Sequence, residues 1–198
     1  MQRVAGSFAW PFQAPVSRWL PGILCVLLLP VLFIPLLGYA IAATRSEEPP
    51  PWALTWRLVT DGLWTALVIA LTALPFVLAF LLLRPLRDGV VGAVAIVFAL
   101  LLAWGLVALL FLPHATAAFA AGGRPADLFD FAASVRRVRA DFATWNVVVA
   151  AIVSGWAIGL ACAALLCAGV VPGVFYAILV SAHATSALRG EDHDSSPG

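Results

Sequence analysis

The chain of 198 residues is 63% hydrophobic and 11% charged, with a formal net charge of +1 and a mean hydropathy of +1.03. Soluble domains contain about 45–50% apolar and about 25% charged residues, so this chain has too few ionic side chains to cover a water-facing surface. The composition predicts an integral membrane protein, and the small net charge excludes strong electrostatic attraction to nucleic acid.

Five strongly apolar stretches follow one another along the chain, and none has Asp, Glu, Lys or Arg in its interior. A helix needs about 20 apolar residues to cross a bilayer, and a spanning backbone must satisfy its own hydrogen bonds. The sequence therefore predicts an all-α, polytopic transmembrane helix bundle with about five membrane-embedded segments. The predicted segments are residues 19–44, 62–83, 89–113, 143–168 and 170–188.

The first of these stretches is interrupted by Pro30 and Pro35 and is too short for a full helical hairpin. It is also longer than the roughly 7–15 apolar residues of a secretory signal, so we do not interpret it as one. Two alternatives stay open. The stretch crosses the membrane once as a kinked helix, or it enters the membrane and returns on the same side.

An amphipathic segment, residues 125–142, separates the two predicted hairpins. Its apolar side chains recur every three or four residues, as on one face of a helix, and polar side chains occupy the other face. We expect this segment to lie in the membrane interface, with shorter counterparts near residues 52–63 and 8–19. The apolar face comprises Leu128, Phe131, Val135, Val138 and Phe142, and the polar face comprises Asp130, Ser134, Arg137 and Asp141.

The chain also repeats itself at the ends of its apolar runs. Residues 114–118 match residues 183–187 at four of five positions, and residues 39–43 are a weaker third copy. The pattern divides a single predicted transmembrane domain, residues 1–190, into repeat-like units. The units are residues 7–45, 52–122 and 126–190, and residues 191–198 are predicted to form a disordered tail.

The arginines give the expected orientation. If the ends of the repeat units face the cytoplasm, most arginines lie on that side under either alternative for the first stretch. This distribution follows the positive-inside rule. We therefore expect a multi-pass protein of a prokaryotic cytoplasmic membrane.

Short motifs along most of the chain resemble one family. They are Trp10-Pro11-Phe12, Trp19, Gly38-Tyr39, Pro51-Trp52, Asp61-Gly62, Pro75 and Ala182-His183. Over residues 7–190 the chain resembles domain-of-unknown-function family 4013, whose members are prokaryotic membrane proteins. It differs from the family pattern in having no lysine and a very short link between its last two segments. The resemblance implies a membrane location and a helical fold, and it implies no activity.

Two histidines are candidate cofactor ligands. His114 and His183 occupy equivalent places in two repeats, so both are expected near one membrane face, where they could ligate a haem or a chlorin. The alternative is that each histidine caps the C-terminus of a helix. Beyond this hypothesis the sequence predicts no cofactor.

The acidic residues give no enzymatic site. Asp61 and Asp141 each precede an apolar run, which predicts helix N-caps, with a catalytic carboxylate pair as the alternative. No nucleophile or metal cluster accompanies them, so neither an enzyme nor a metal site is predicted. Residues 191–194 contain metal-binding residue types, but we interpret them as part of the solvated tail.

A stripe of small residues, Gly155, Gly159 and Ala163, would let a second helix approach closely. That helix belongs to the same bundle or to a partner subunit. Taken together, the sequence favours a non-enzymatic structural or accessory subunit of a membrane assembly. Its candidate partners are the lipid bilayer, other membrane subunits and a second copy of the chain.

Two other functions stay open. The repeats and the proline-broken first stretch are compatible with a permease-like channel or carrier for neutral or lipidic solutes. The two histidines are compatible with a cofactor-binding subunit of a redox or photosynthetic complex. The apolar stretches contain no ionisable residue of the kind that marks proton pathways, which argues against a proton-coupled transporter.

Overall fold

The computed structural model describes residues 6–13, 29–51, 53–83, 89–165 and 170–189. All regular secondary structure in these ranges is helical, which confirms the predicted all-α fold. The α-helices are α1 (Leu29–Arg45), α2 (Trp56–Leu82), α3 (Gly89–Gly122), α4 (Phe131–Ala140), α5 (Phe142–Leu165) and α6 (Val170–Ser186). Short 3-10 turns span Gly6–Phe8, Trp10–Gln13, Pro125–Leu128 and Ala187–Arg189.

Within the described ranges, three helices are long and apolar enough to cross a membrane. They are α2, α3 and the Phe142–Ala161 part of α5. Helices α1 and α6 are shorter, at 17 residues each. Lengths and composition therefore support a helical membrane protein.

The helices are arranged so that the polar segments that connect them lie at one end of the bundle. Helix α1 packs against α2, α5 packs against α6, and α1 also contacts α6. The indole nitrogen of Trp10 donates to the carbonyl oxygen of Glu47 at 2.6 Å, and the Tyr176 hydroxyl donates to the carbonyl oxygen of Phe8 at 3.2 Å. We call this end, formed by residues 6–13, 46–51, 53–55, 123–141 and 187–189, the polar end.

The buried core lies in the half of the bundle next to the polar end. One cluster surrounds Tyr39 and Phe175, a second surrounds Val148, and a third surrounds Val68 and Phe119. Farther from the polar end, α2 and α3 expose large apolar side chains along most of their length. Only 11% of the most apolar window of α3 is buried inside the chain, so this surface requires an apolar environment.

Helix α3 continues beyond Pro113, where the sequence predicted the apolar segment to end. Proline has no N–H and cannot bond to the carbonyl four residues earlier. That carbonyl, on Leu109, instead accepts from the indole nitrogen of Trp145 at 3.3 Å. The helix ends at Gly122. The next residue, Gly123, has a φ of +66° that suits glycine, and its N–H donates to the carbonyl of Phe119.

Helix α2 begins before the predicted residue 62. Thr55 is its N-cap, and the Thr55 hydroxyl accepts from the Leu58 N–H at 3.3 Å. The short interfacial helix expected near residues 52–63 is therefore wrong as a separate element, because residues 56–63 form the first turns of α2. Residues 6–13 form 3-10 turns, and the rest of the segment predicted over 8–19 lies outside the described residues.

The predicted amphipathic segment is divided into the turn at Pro125–Leu128 and helix α4. Asp130 caps α4 by accepting from the Ala133 N–H at 2.8 Å. Leu128 and Val138 are buried as expected, but Ser134 is also buried, whereas it was predicted on the polar face. The interruption at Asp130 resets the helical period, so the two parts do not share one stripe. Interfacial placement of α4 stays a prediction.

The described residues that precede the first predicted stretch lie near the same end of the bundle as the residues that end it. Residues 6–13 pack against α6 near the polar end, and α1 finishes there at Arg45. This favours the alternative in which the stretch enters the membrane and returns. Residues 14–28 lie outside the described residues.

Candidate functional site

The two candidate histidines occupy different positions in their helices. His114 lies about two turns before the end of α3, so it does not cap that helix, because α3 runs on to Gly122. His183 lies in the last turn of α6, as the capping alternative predicted, and its ring stacks on Trp10 with centroids 4.6 Å apart. Both side chains are buried, and a macrocyclic cofactor would have to displace the packing around them. The cofactor hypothesis stays a prediction that this packing does not favour.

The two aspartates that the sequence predicts as N-caps, Asp61 and Asp141, also have different roles. Asp141 accepts from the Thr144 N–H at 3.1 Å, which confirms it as the N-cap of α5. For Asp61 the capping prediction is wrong, because α2 begins at Trp56 with Thr55 as its cap. Asp61 lies in the second turn of α2, where its carboxylate is free to make a tertiary contact.

That contact is an ion pair with Arg45, the last residue of α1. Nη1 of Arg45 donates to Oδ2 of Asp61, and Nε of Arg45 donates to the carbonyl oxygen of Ala120 at 3.1 Å. The guanidinium carbon lies 5.5 Å from the ring centroid of Phe119, within cation–π range. The side chains of Arg45 and Asp61 are 19% and 12% exposed. One largely buried charge pair therefore joins α1, α2 and α3 at the polar end.

The ion pair depends on a close crossing of α1 and α2. A Cβ atom on Gly38 would overlap the carbonyl oxygen of Leu58 and lie 3.2 Å from the amide nitrogen of Gly62. A Cβ on Gly62 would overlap the carbonyl oxygen of Ile34 in the same way. The two backbones touch because both residues lack side chains, and this contact brings the end of α1 beside the start of α2.

A cleft of about 180 Å³ opens beside the ion pair, between the end of α1, the following loop and the start of α2. Tyr39 closes its inner side, with its hydroxyl donating to the carbonyl oxygen of Pro50 at 2.9 Å and its ring stacked on Phe175. Two cations, Arg45 and Arg57, and one anion, Asp61, line the cleft. The lining therefore has an excess of one positive charge.

The sequence alone does not predict this site, because Arg45 has the pattern of a charge that orients the chain and Asp61 has the pattern of a helix cap. The available signal was the presence of opposite charges at the facing ends of two consecutive apolar runs, separated by a short polar loop. The two antiparallel helices of a hairpin bring such charges to the same end.

Several residues of the short motifs meet at the polar end. Trp10 stacks on His183, Gly38 contacts the backbone of α2 at Gly62, and Asp61 carries the ion pair. The family model described as "Protein of unknown function (DUF4013)" matches residues 22–180. The chain belongs to this family. The comparison with curated proteins gave no match, and neither did the comparison with solved structures.

The predicted small-residue stripe of this DUF4013 protein lies where α5 crosses α6. A Cβ on Gly155 would lie 2.9 Å from Cγ1 of Val180, and a Cβ on Gly159 would overlap the carbonyl oxygen of Gly173. These two glycines therefore face a helix of the same chain. The side chain of Ala163 lies outside the described residues.

Replacement of Gly159 by leucine is expected to lower the thermal unfolding midpoint of the detergent-purified protein by several degrees. The added side chain would force α5 away from Gly173, and overpacking of this kind costs about 1–3 kcal/mol. Circular dichroism during heating measures the midpoint. Gly105→Leu is the control, because nothing lies within 4 Å of a Cβ at that position. Equal midpoints for the two variants would contradict the assignment of Gly159 to the α5–α6 contact.

Among the described residues, no group of three His, Cys, Asp or Glu side chains is placed to hold a metal ion. Residues 191–194, which contain metal-binding residue types, lie outside the described residues. The Arg45–Asp61 pair and its cleft are therefore the candidate functional site.

Proposed function

We propose that the protein is a non-enzymatic structural or accessory subunit of a membrane assembly. The observation that carries this proposal is the large apolar surface that α2, α3 and α5 leave uncovered by the chain itself. Lipid can cover such a surface, and so can the helices of other subunits, which pack through shape and small side chains rather than through charge.

The distribution of charge supports a fixed orientation in the membrane. Seven arginines belong to helix ends and connections at the polar end: Arg45, Arg57, Arg124, Arg136, Arg137, Arg139 and Arg189. Under the positive-inside rule this end faces the cytoplasm, with α4 lying along the cytoplasmic leaflet. A prokaryotic cytoplasmic membrane is the location that fits this arrangement.

Native mass spectrometry of the protein, extracted gently from the membrane of its own host, tests the proposal. We expect a mass well above the 20.9 kDa of the chain, together with companion chains that dissociate on activation. The same extraction after strong detergent treatment is the control, because it removes weakly held companions.

A bare chain in every gentle extraction would contradict the subunit proposal. Copies of this chain alone would also contradict it and would favour the permease-like alternative. Flux of neutral solutes into proteoliposomes would then be the next measurement.

A further inference from the structure

We propose that the cleft beside the Arg45–Asp61 pair binds a phosphate group, held between the guanidinium groups of Arg45 and Arg57. The depth of the cleft in the membrane favours an anionic phospholipid headgroup as the source of that phosphate. The proposal does not depend on whether the protein has partner subunits.

Arg45 retains hydrogen-bonding capacity after its contacts within the chain. Asp61 and Ala120 accept from Nη1 and Nε, whereas Nη2 is buried and has no hydrogen-bond partner in the described part of the chain. Buried donors are nearly always satisfied in folded proteins, so Nη2 has the capacity to donate to an acceptor that the chain does not supply. Phosphate oxygens are strong acceptors for guanidinium groups.

Arg57 supplies the second cation. Its side chain is exposed and lines the cleft, and no acidic residue pairs with it among the described residues. Asp61 neutralises one of the two arginines, so the site has one positive charge to offer. This charge matches a phosphodiester, which carries a single negative charge.

The cleft is also large enough to hold a phosphate group. Its volume of about 180 Å³ is several times the volume of about 30 Å³ that a water molecule occupies in the liquid. A phosphate group with part of its ester substituent can enter this space. The hydroxyl of Thr55 also lines the cleft, but it already caps α2.

The position of the cleft along α2 places it at the level of lipid headgroups. Between Leu63 and Leu82, exposed apolar side chains recur along α2 over a rise of about 29 Å, close to the thickness of about 30 Å of a bilayer hydrocarbon core. Arg57 lies about 9 Å beyond Leu63 on the same helix, where the headgroup layer begins.

The residues beside the cleft fit an amphipathic ligand better than a free ion. Leu54 and Trp56, which alternate with the lining residues Ala53, Thr55 and Arg57, are 66% and 80% exposed. Large apolar side chains next to a cationic cleft can contact acyl chains while the cleft holds the phosphate. Tryptophan is also enriched at this level of the membrane.

The test measures lipid binding to the full chain by native mass spectrometry in a mild detergent, with phosphatidylglycerol and phosphatidylcholine added separately. We expect one phosphatidylglycerol molecule to bind in preference to phosphatidylcholine. Arg57→Gln should weaken that binding about tenfold, or about 1.4 kcal/mol, whereas Arg57→Lys should retain most of it. Arg136→Gln, which removes an exposed charge from α4, is the matched control and should leave the binding unchanged.

The outcomes separate the two sources of phosphate. If inorganic phosphate at millimolar concentration displaces the lipid or raises the unfolding midpoint, and Arg57→Gln abolishes the effect, the site binds phosphate and its ligand is a free anion. Equal losses of phosphatidylglycerol binding in Arg57→Gln and Arg136→Gln would show that the lipid is attracted by the overall positive charge, and would overturn the proposal. Equal binding of both lipids, unaffected by Arg57→Gln, would overturn it as well.

Discussion

Replacing Gly38 by alanine is expected to destabilise the protein by about 3 kcal/mol, although alanine is the better helix former. The added methyl group would overlap the carbonyl oxygen of Leu58, which belongs to the backbone of α2 and cannot rotate away. The two helices would have to separate, and the Arg45–Asp61 pair would lengthen with them. Unfolding of the purified protein by a denaturing detergent, followed by circular dichroism, measures the change.

Gly105→Ala is the matched control for this substitution. Gly105 also lies inside a long apolar helix, but nothing lies within 4 Å of a Cβ built there. Alanine at this position should leave stability unchanged or raise it by up to about 1 kcal/mol. An unfolding curve for Gly38→Ala that coincides with that of Gly105→Ala would show that α1 and α2 do not cross as closely as described.

Asp61→Asn is expected to destabilise the protein by about 3 kcal/mol. The change leaves the Arg45 guanidinium largely buried without its counter-ion, and the loss of one partner from a buried pair is more costly than the loss of both. The unfolding free energy of Asp61→Asn is therefore expected to be lower than that of the double variant Arg45→Gln/Asp61→Asn. Chemical unfolding of the single and double variants measures this coupling.

The control for the ion pair is Arg124→Gln. Arg124 pairs with Asp127 at 3.1 Å, but the arginine side chain is 78% exposed. Exposed pairs contribute about 0–1 kcal/mol, so this variant should unfold almost like the unmodified protein. A comparable loss of stability in Arg124→Gln and Asp61→Asn would argue against a special role for burial at Arg45.

Much of the helical architecture follows from local sequence. The predicted segment 143–168 corresponds to α5 at Phe142–Leu165, and the predicted segment 170–188 corresponds to α6 at Val170–Ser186. An apolar run in a membrane protein has few alternatives to a helix, because its backbone has no water to bond with. The match of the family model to residues 22–180 likewise confirms the resemblance seen in short motifs.

The features that the sequence did not predict depend on contacts between distant residues. Helix α3 passes through Pro113 because Trp145, which belongs to α5, donates to the freed carbonyl of Leu109. The pairing of Arg45 with Asp61 depends on how closely α1 and α2 approach at Gly38. Hydropathy measures the preference of each residue for an apolar environment over water. It contains no information on which helices contact each other.

The placement of the polar connections at one end has a consequence for how the protein is inserted during synthesis. The end of α2 at Leu82 and the start of α3 at Gly89 lie away from the polar end, as do the end of α5 at Leu165 and the start of α6 at Val170. If each hairpin enters the bilayer as a unit, only the short sequences between these helix ends have to be translocated, and the second sequence contains no charged residue. In the proposed orientation the polar end, whose helix ends and connections contain seven of the eleven arginines, remains on the side where the ribosome delivers it.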